Sequence, residues 1–230
     1  MDAQTDEPGL VIFDCDGVLV DSEVISARVL AGQLGALGIP LTAEECIARY
    51  TGISMPSVLE RIEAEWGPGV LPPDFVDRVR AADADAFRCE LRPVAGGREA
   101  VEALAVRKCV ASSGRLAKIR LTLGLTGLLP LFEPHLFSAE MVARGKPWPD
   151  LFLHAADQIG VPAAHCVVIE DSEAGVRAGR AAGMRVLGFT GGAHCSAGHA
   201  DVLRAAGADR VFTDMVDLPA LLTADRVDPR

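Results

Sequence analysis

Short apolar runs recur along the chain, and stretches with a helical pattern of apolar and polar residues lie between them. The runs predict five buried strands, at 10–13, 109–112, 166–170, 185–189 and, more weakly, 210–212. The helical patterns lie at about 96–106, 115–124, 149–160, 173–182, 200–206 and 215–223. Strands that alternate with helices of this length are typical of a parallel sheet with helices on both faces. The chain is therefore predicted to be an α/β protein with a doubly wound parallel sheet.

One long segment interrupts this alternation. From Asp21 to Glu90 the pattern is helical throughout, and turn signals such as "GIP", "TGIS" and "WGPGVLPP" separate the helices. A helical segment of this length after the first strand indicates a cap or lid. The predicted domains are a core formed by 1–19 and 91–230 and an inserted α-helical cap formed by 20–90.

Composition and charge exclude several classes of protein. Half of the residues are hydrophobic and 23% are charged, as in folded globular chains. The formal net charge is −10 and no Lys/Arg-rich run is present, which argues against nucleic acid or an anionic membrane as a partner. The apolar runs are far shorter than the ~20 residues of a membrane span. With no signal-peptide pattern at its acidic start, the chain is expected to be cytoplasmic, with its six cysteines reduced.

Two acidic pairs follow two of the predicted strands. Asp14 and Asp16 follow the first strand, and Glu170 and Asp171 stand at the end of the run at 166–170. Either pair alone could be an acidic turn or a helix-capping cluster. In an open α/β sheet, however, ligands bind beyond the carboxyl ends of the strands. Two pairs at that edge predict a site for a hard cation such as Mg²⁺.

Groups suited to an anion lie at the same edge of the predicted sheet. Ser112 and Ser113 lead from the second strand into a helix, where hydroxyl and backbone N–H groups form an anion site. Lys146 precedes a rigid "PWP" turn and is one of only three lysines in the chain. A lysine is usually a solvated surface charge, but this position indicates a fixed role. The sequence thus predicts a phosphate site beside the metal site.

Together these residues resemble the four motifs of the haloacid dehalogenase superfamily. The motif residues occur in the order and contexts of that family: Asp14, Asp16, Gly17, Ser112, Lys146, Glu170 and Asp171. The helical insert is similar to the family's α-helical cap of the first class. The stretches "DCDGVLVDSE", "GKPWPDLFLHAA" and "VIEDSEAGVRAGRAAGM" resemble the branch that holds sugar-phosphate phosphatases, phosphoglycolate phosphatases and β-phosphoglucomutase. The resemblance runs from about Leu10 to Leu222 and implies a Rossmann-like core.

The resemblance implies the reaction and its two central carboxylates. Asp14 would be the nucleophile that forms an aspartyl-phosphate. Asp16 would protonate the leaving oxygen and then deprotonate the hydrolytic water, so it must hold a proton while Asp14 does not. The implied enzyme is a Mg²⁺-dependent phosphatase acting on a small phosphorylated sugar, polyol or sugar acid.

The resemblance also implies ligands for the metal and the phosphate. The metal ligands would be Asp14, the backbone carbonyl of Asp16, Asp171, and Glu170 directly or through water. The phosphate ligands would be Ser112, the N–H of Ser113, and Lys146.

Two alternative reactions belong to the same branch. A β-phosphoglucomutase-like enzyme carries a Lys-Gly pair and an arginine on its cap, whereas "RYTGISM" has Thr51 and Met55 in the matching stretch, which favours hydrolysis over isomerisation. Phosphoglycolate hydrolysis stays open. Substrate contacts are expected from Glu23 and from Arg49, although "DSE" also suits a helix N-terminus and Arg49 could be a surface arginine. A non-catalytic phospho-ligand sensor is the third class, and the complete motif set argues against it.

Two cysteine-containing stretches offer other chemistry. "CVASSGR" has the Cys-x₅-Arg spacing of cysteine phosphatases, but Val110 and Ala111 continue the apolar strand, so Cys109 is expected to be buried and unreactive. "GGAHCSAGH" carries His194, Cys195 and His199, which could bind a soft metal. A flexible glycine-rich loop is the preferred interpretation.

Overall fold

The structure, a computed structural model, describes residues 8–223. Within this range, six parallel strands form one sheet in the order β3-β2-β1-β4-β5-β6. The strands are β1 (Leu10–Phe13), β2 (Arg107–Ser112), β3 (Leu136–Ser138), β4 (Cys166–Glu170), β5 (Arg185–Phe189) and β6 (Arg210–Phe212). The core helices are α5 (Gly97–Ala103), α6 (Leu116–Leu125), α7 (Asp150–Ile159), α8 (Glu173–Ala181), α9 (His199–Ala206) and α10 (Leu218–Thr223), and the cap helices α1–α4 come between β1 and α5.

Side chains of the central strands point alternately to two apolar layers. In β1, Val11 and Phe13 join the layer under α5, α6 and α10, whereas Leu10 and Ile12 join the layer under α7, α8 and α9. This alternation follows from the two-residue period of a strand. Both faces of the sheet are therefore covered, which confirms the predicted doubly wound α/β fold.

The five predicted strands are all present, but the structure adds a sixth. β3 spans only Leu136–Ser138 and pairs with β2 at the edge of the sheet, where Val110 lies opposite Leu136. Three apolar or small residues do not make a periodic pattern, so no local signal distinguishes this strand from a loop. Its position depends on pairing with β2.

The cap is a group of four helices with an apolar core of its own. They are α1 (Glu23–Gly35), α2 (Ala43–Tyr50), α3 (Met55–Trp66) and α4 (Phe75–Glu90). Their buried side chains, such as Leu34, Ile62 and Val79, form a cluster separate from the two layers of the sheet. Thr42 and Glu45 form a capping box at the start of α2, which satisfies two otherwise unpaired N–H groups.

Two short linkers join the cap to the core. Val20 bridges Pro93 in antiparallel fashion, and the N–H of Asp21 donates to the carbonyl of Arg92. Both boundaries of the predicted cap, 20–90, lie beside these contacts. The predicted core range also includes 1–7 and 224–230, which lie outside the described residues. No helix among residues 8–223 is long and apolar enough to cross a membrane.

Candidate active site

A cavity of about 660 Å³ lies between the cap and the carboxyl edge of the sheet. It brings together six of the residues singled out from the sequence: Asp14, Asp16, Glu23, Ser112, Ser113 and Lys146. Glu170 and Asp171 are almost fully buried at the end of the neighbouring strand β4. The strand ends meet here because parallel strands place their carboxyl ends at one edge.

Lys146 is buried between two carboxylates of different strands. Its Nζ lies 2.6 Å from Asp14 Oδ1 and 2.5 Å from Glu170 Oε1, and its side chain is 2% exposed. Burial alone would lower the pKa of Lys146, but the two carboxylates raise it above its usual value. Burial raises the pKa of Asp14 well above its ordinary value, against the opposing effect of Lys146. The lysine is therefore held as a cation at the centre of an acidic site.

Three carboxylates form a compact set of oxygen ligands. One ligand atom from each of Asp14, Glu170 and Asp171 lies within 4.8 Å of the others. All three side chains are almost fully buried. An all-oxygen donor set of buried carboxylates fits a hard divalent cation. The described residues can thus hold a metal ion at this edge of the sheet.

The late glycine-rich loop packs against this acidic set. His194 Nε2 lies 2.9 Å from Asp171 Oδ2, and His199 Nε2 lies 2.6 Å from the backbone oxygen of Asp171. Burial opposes a charge on His194, but its contacts with Asp171 and Cys195 raise its pKa to about 11. Ligand atoms of His194, Cys195 and His199 also lie within 4.8 Å of one another. The loop is therefore packed against Asp171 rather than free of the site.

Asp16 is separate from the three-carboxylate set. Its Oδ1 accepts a hydrogen bond from Ser22 Oγ at 2.5 Å and lies 2.9 Å from Lys118 Nζ, while Ser112 Oγ donates to Oδ2 at 3.5 Å. Burial would raise the pKa of Asp16, but Lys118 and Ser22 outweigh burial and lower it. With the pKa of Asp14 raised, these directions are the reverse of those that the expected roles require. Protein groups alone therefore do not keep a proton on Asp16.

Glycine is required at two close approaches in the site. Gly17 has φ +79°, and a side chain there would overlap the Asp171 carboxylate. Gly175 lies in the first turn of α8, where a methyl group would overlap the Glu170 carboxylate. The same turn is capped by Ser172, whose Oγ accepts from the N–H of Gly175 at 3.0 Å and donates to Glu170 Oε2 at 2.9 Å. Ser172 is thus the N-cap of α8 and also holds the Glu170 carboxylate.

Arg49 does not reach the cavity. Its guanidinium binds both oxygens of Glu65 at 2.9 and 3.0 Å, and it also lies near Glu45. The side chain is 38% exposed. The structure therefore does not bring Arg49 to the cavity, and the residue instead forms ion pairs with Glu45 of α2 and Glu65 of α3.

Cys109 does not line the cavity. It is fully buried in the layer under α7, α8 and α9, and burial raises the pKa of its thiol far above its usual range. A cysteine nucleophile needs an accessible thiolate. The Cys-x₅-Arg spacing is therefore coincidental, as the strand pattern predicted.

Known proteins are similar to this chain over most of its length. The family model of haloacid dehalogenase-like hydrolases matches residues 8–183. The chain belongs to this family. It is 34% identical to the 6-phosphogluconate phosphatase of Escherichia coli K12 over 184 residues, which cover 80% of this chain and 83% of the relative. It is 33% identical to a phosphoglycolate phosphatase of Cupriavidus necator, with 95% of each chain covered.

Solved structures of this family share the same architecture. A haloacid dehalogenase-like protein of unknown function from Agrobacterium tumefaciens superposes with a TM-score of 0.81 and 39% identity, covering 93% of this chain and 97% of that one. The similarity extends over cap and core together. The sequence resemblance to the haloacid dehalogenase family is therefore confirmed.

Sequence reasoning missed several polar residues that line the cavity of this haloacid dehalogenase-like hydrolase, among them Ser26, Asp83 and Lys118. A signal existed for Lys118, because it stands in the first turn of the helix that follows Ser112–Gly114, and lysine is rare in this chain. Ser26 and Asp83 lie on α1 and α4, 57 positions apart in the numbering, and only the packing of these helices brings them to one cavity.

Proposed function

We propose that this chain is a Mg²⁺-dependent phosphatase that hydrolyses a small phosphorylated sugar, polyol or sugar acid through an aspartyl-phosphate. The proposal rests mainly on one observation: Asp14, Asp16, Ser112 and Lys146 line the same cavity, beside the buried carboxylates Glu170 and Asp171. Membership of a hydrolase family and phosphatase relatives such as those above support it.

Asp14, Glu170 and Asp171 would hold the metal ion, with the Asp16 carbonyl as a further ligand. A bound Mg²⁺ would reduce the repulsion between the Asp14 carboxylate and the phosphate and favour the ionised form of Asp14. The other charges of the site come from the protein: Lys146 beside Asp14, and Lys118 beside Asp16.

The first chemical step transfers the phosphoryl group to Asp14. A carboxylate oxygen of Asp14 bonds to phosphorus while the bond from phosphorus to the leaving oxygen breaks. Ser112 Oγ, the N–H of Ser113 and the Lys146 ammonium stabilise the phosphoryl oxygens. Asp16 gives its proton to the leaving oxygen, which departs as an alcohol. In the second step water attacks phosphorus, Asp16 accepts the water's proton, and Asp14 is released with inorganic phosphate.

These two steps require that Asp16 carry a proton when the substrate is bound. The partners of Asp16 in the protein favour its ionised form. A substrate phosphate brings up to two negative charges beside this carboxylate, and nearby like charges raise a carboxyl pKa. We therefore propose that substrate binding raises the pKa of Asp16, so that Asp16 takes up the proton that it later donates.

Hydrolysis is proposed over isomerisation because of the residues where α2 connects to α3. Thr51 and Met55 line the cavity there, and neither carries a positive charge. A phosphomutase must hold a second phosphate while its intermediate reorients, which calls for cations at this position.

The test is phosphate release from a panel of sugar, polyol and small-acid phosphates. Asp14→Asn keeps the shape of the side chain but removes the nucleophile, so release should fall by at least ~1,000-fold. EDTA should abolish the wild-type activity, and added Mg²⁺ should restore it. Cys109→Ser is the matched control and should keep activity. Activity that survives Asp14→Asn and EDTA but is lost in Cys109→Ser would refute the proposal.

A further inference from the structure

The cavity is larger than a phosphate and a two-carbon leaving group require. Its volume is about 660 Å³, within the range of pockets that enclose whole metabolites. The phosphoryl site occupies the core side, around Asp14 and Ser112. The remaining space lies against cap helices α1 and α4, and we refer to this part, lined by Glu23, Ser26 and Asp83, as the cap side of the cavity.

Two buried polar atoms on the cap side lack a well-formed hydrogen bond within residues 8–223: Ser26 Oγ and Asp83 Oδ1. The Ser26 hydroxyl does lie near the Asp83 carboxyl, where it partly offsets the effect of burial on the pKa of Asp83. Buried polar groups are normally satisfied, since an unpaired one costs free energy. These atoms are therefore suited to a ligand that brings its own hydrogen-bond donors.

Glu23 adds a third acceptor on the same face. It lies one turn before Ser26 on α1, so both side chains project from one side of the helix. Within the described chain Glu23 forms no hydrogen bond or ion pair. Burial raises the pKa of Glu23 to about 7 and that of Asp83 to about 6. Neither carboxyl has a dedicated cation.

The cations that line the cavity already have acidic partners. The closest pairs are Lys118 with Asp16 at 2.9 Å, Lys146 with Asp14 at 2.6 Å, Arg115 with Glu140 at 2.8 Å, and Arg80 with Asp77 at 3.3 Å. Lys118 also lies in the field of Glu23 and Asp83, which raise its pKa further. A carboxylate entering the cap side would therefore meet two acids and no free cation among the described lining residues.

We propose that the cap side of the cavity selects a neutral, polyhydroxylated leaving group, whose hydroxyls hydrogen-bond to Ser26, Asp83 and Glu23, and disfavours leaving groups that carry a carboxylate. This inference rests on the proposed phosphatase function and narrows its substrate class to polyol and sugar phosphates. Hydroxyl groups supply the donors that the unpaired oxygens lack. Like charges in a partly buried site disfavour sugar acids and glycolate.

A matched pair of substrates tests this selection. Glucitol 6-phosphate and 6-phosphogluconate have the same carbon chain and phosphate position, and they differ in a terminal CH₂OH against a carboxylate. With saturating Mg²⁺ at neutral pH, we expect kcat/KM to be at least ~10-fold higher for glucitol 6-phosphate, the scale of one charge-dependent contact. p-Nitrophenyl phosphate serves as a substrate that makes no such contacts.

Three variants separate selection from general damage. Asp83→Asn removes one charge that repels the carboxylate of 6-phosphogluconate. The ratio of kcat/KM for glucitol 6-phosphate to that for 6-phosphogluconate should therefore fall by roughly 10-fold, mainly because kcat/KM for 6-phosphogluconate rises. Ser26→Ala should lower kcat/KM for glucitol 6-phosphate by several-fold and that for p-nitrophenyl phosphate little. Asp85→Asn is the control on the same helix: its side chain is 81% exposed and pairs with Arg88, so the preference should not change. Thermal melting of each variant checks folding.

The outcomes are distinguishable. A wild-type kcat/KM for 6-phosphogluconate that equals or exceeds that for glucitol 6-phosphate would overturn the proposed substrate selection and leave the phosphatase function intact. The same conclusion would follow if Asp83→Asn changed kcat/KM for both substrates by the same factor. No release from either substrate or from p-nitrophenyl phosphate would overturn the proposed function, and the selection with it.

Discussion

Removing the buried lysine of the site should destabilise the protein strongly. Lys146 is 2% exposed, and its partners Glu170 and Asp14 have side chains that are 0% and 10% exposed. In Lys146→Met the three-carboxylate set loses its cation while the negative charges stay buried. Breaking a buried ion pair from one side typically costs about 3–5 kcal/mol. For a chain of this size, 1 kcal/mol lowers Tm by about 2–4 °C, so the expected loss is roughly 6–20 °C.

Lys108→Met is the matched control for this prediction. Lys108 is partly buried and donates to the backbone oxygens of Val101 and Leu104, with no carboxylate partner. Its loss removes ordinary hydrogen bonds worth about 1 kcal/mol, or about 2–4 °C in Tm. The difference between the two variants isolates the cost of the uncompensated acids from the general cost of losing a lysine.

The assay is thermal unfolding at neutral pH in EDTA and again in Mg²⁺. Added Mg²⁺ should raise the Tm of Lys146→Met more than that of the wild type, because the cation replaces the missing positive charge. Lys146→Met combined with Glu170→Gln should recover part of the lost Tm in EDTA, since one buried charge is removed. A loss no larger than that of Lys108→Met, without rescue by Glu170→Gln, would refute the electrostatic argument.

Three further predictions concern the ligand set and the cap. Gly175→Ala should displace the Glu170 carboxylate and lower the free energy of unfolding by about 1–3 kcal/mol. Gly32→Ala is the control, because no atom lies within 4 Å of the added methyl group, and it should be neutral or stabilise the protein by up to ~1 kcal/mol. Equal melting temperatures of the two variants would contradict this prediction. His194→Asn should raise the Mg²⁺ concentration for half-maximal activity by about 10–100-fold with kcat at saturation nearly kept, and an unchanged Mg²⁺ titration would exclude this positioning role. Burial raises the pKa of Asp83 from 3.8 to about 6, so ionisation of this carboxyl costs stability as the pH rises from about 4 to about 6, by up to ~3 kcal/mol. Asp83→Asn should therefore melt higher than the wild type at pH 7 but not at pH 4, and an equal difference at both pH values would contradict this.

Several features of the protein could be predicted from local sequence. The central strands are continuous apolar runs because both faces of the sheet are covered, and the cap is recognisable because a long helical segment replaces the expected alternation. The acidic pairs were found because they directly follow strands. Parallel strands bring such residues to one edge whatever the detailed packing. The apolar run that continues through Val110 and Ala111 was also enough to predict that Cys109 is buried.

Other features depend on contacts between distant segments. β3 is a strand because β2 offers a partner, since three residues carry no period of their own. Arg49 was expected at the substrate, but its direction is decided by Glu65 on the next cap helix. The lowered pKa of Asp16 is likewise a tertiary property, because it depends on contacts with Lys118 and Ser22.

The sequence by itself therefore determined which polar residues meet at the carboxyl edge of the sheet, and the tertiary structure decided the environment of those residues. Motif residues sit at strand ends, so their meeting follows from the order of the strands. The cap side of the cavity is different: Ser26 and Asp83 face one another only because α1 packs against α4. Hydrogen-bond satisfaction and burial are properties of the packed chain, and no period or spacing in the sequence encodes which polar atoms are left without a partner.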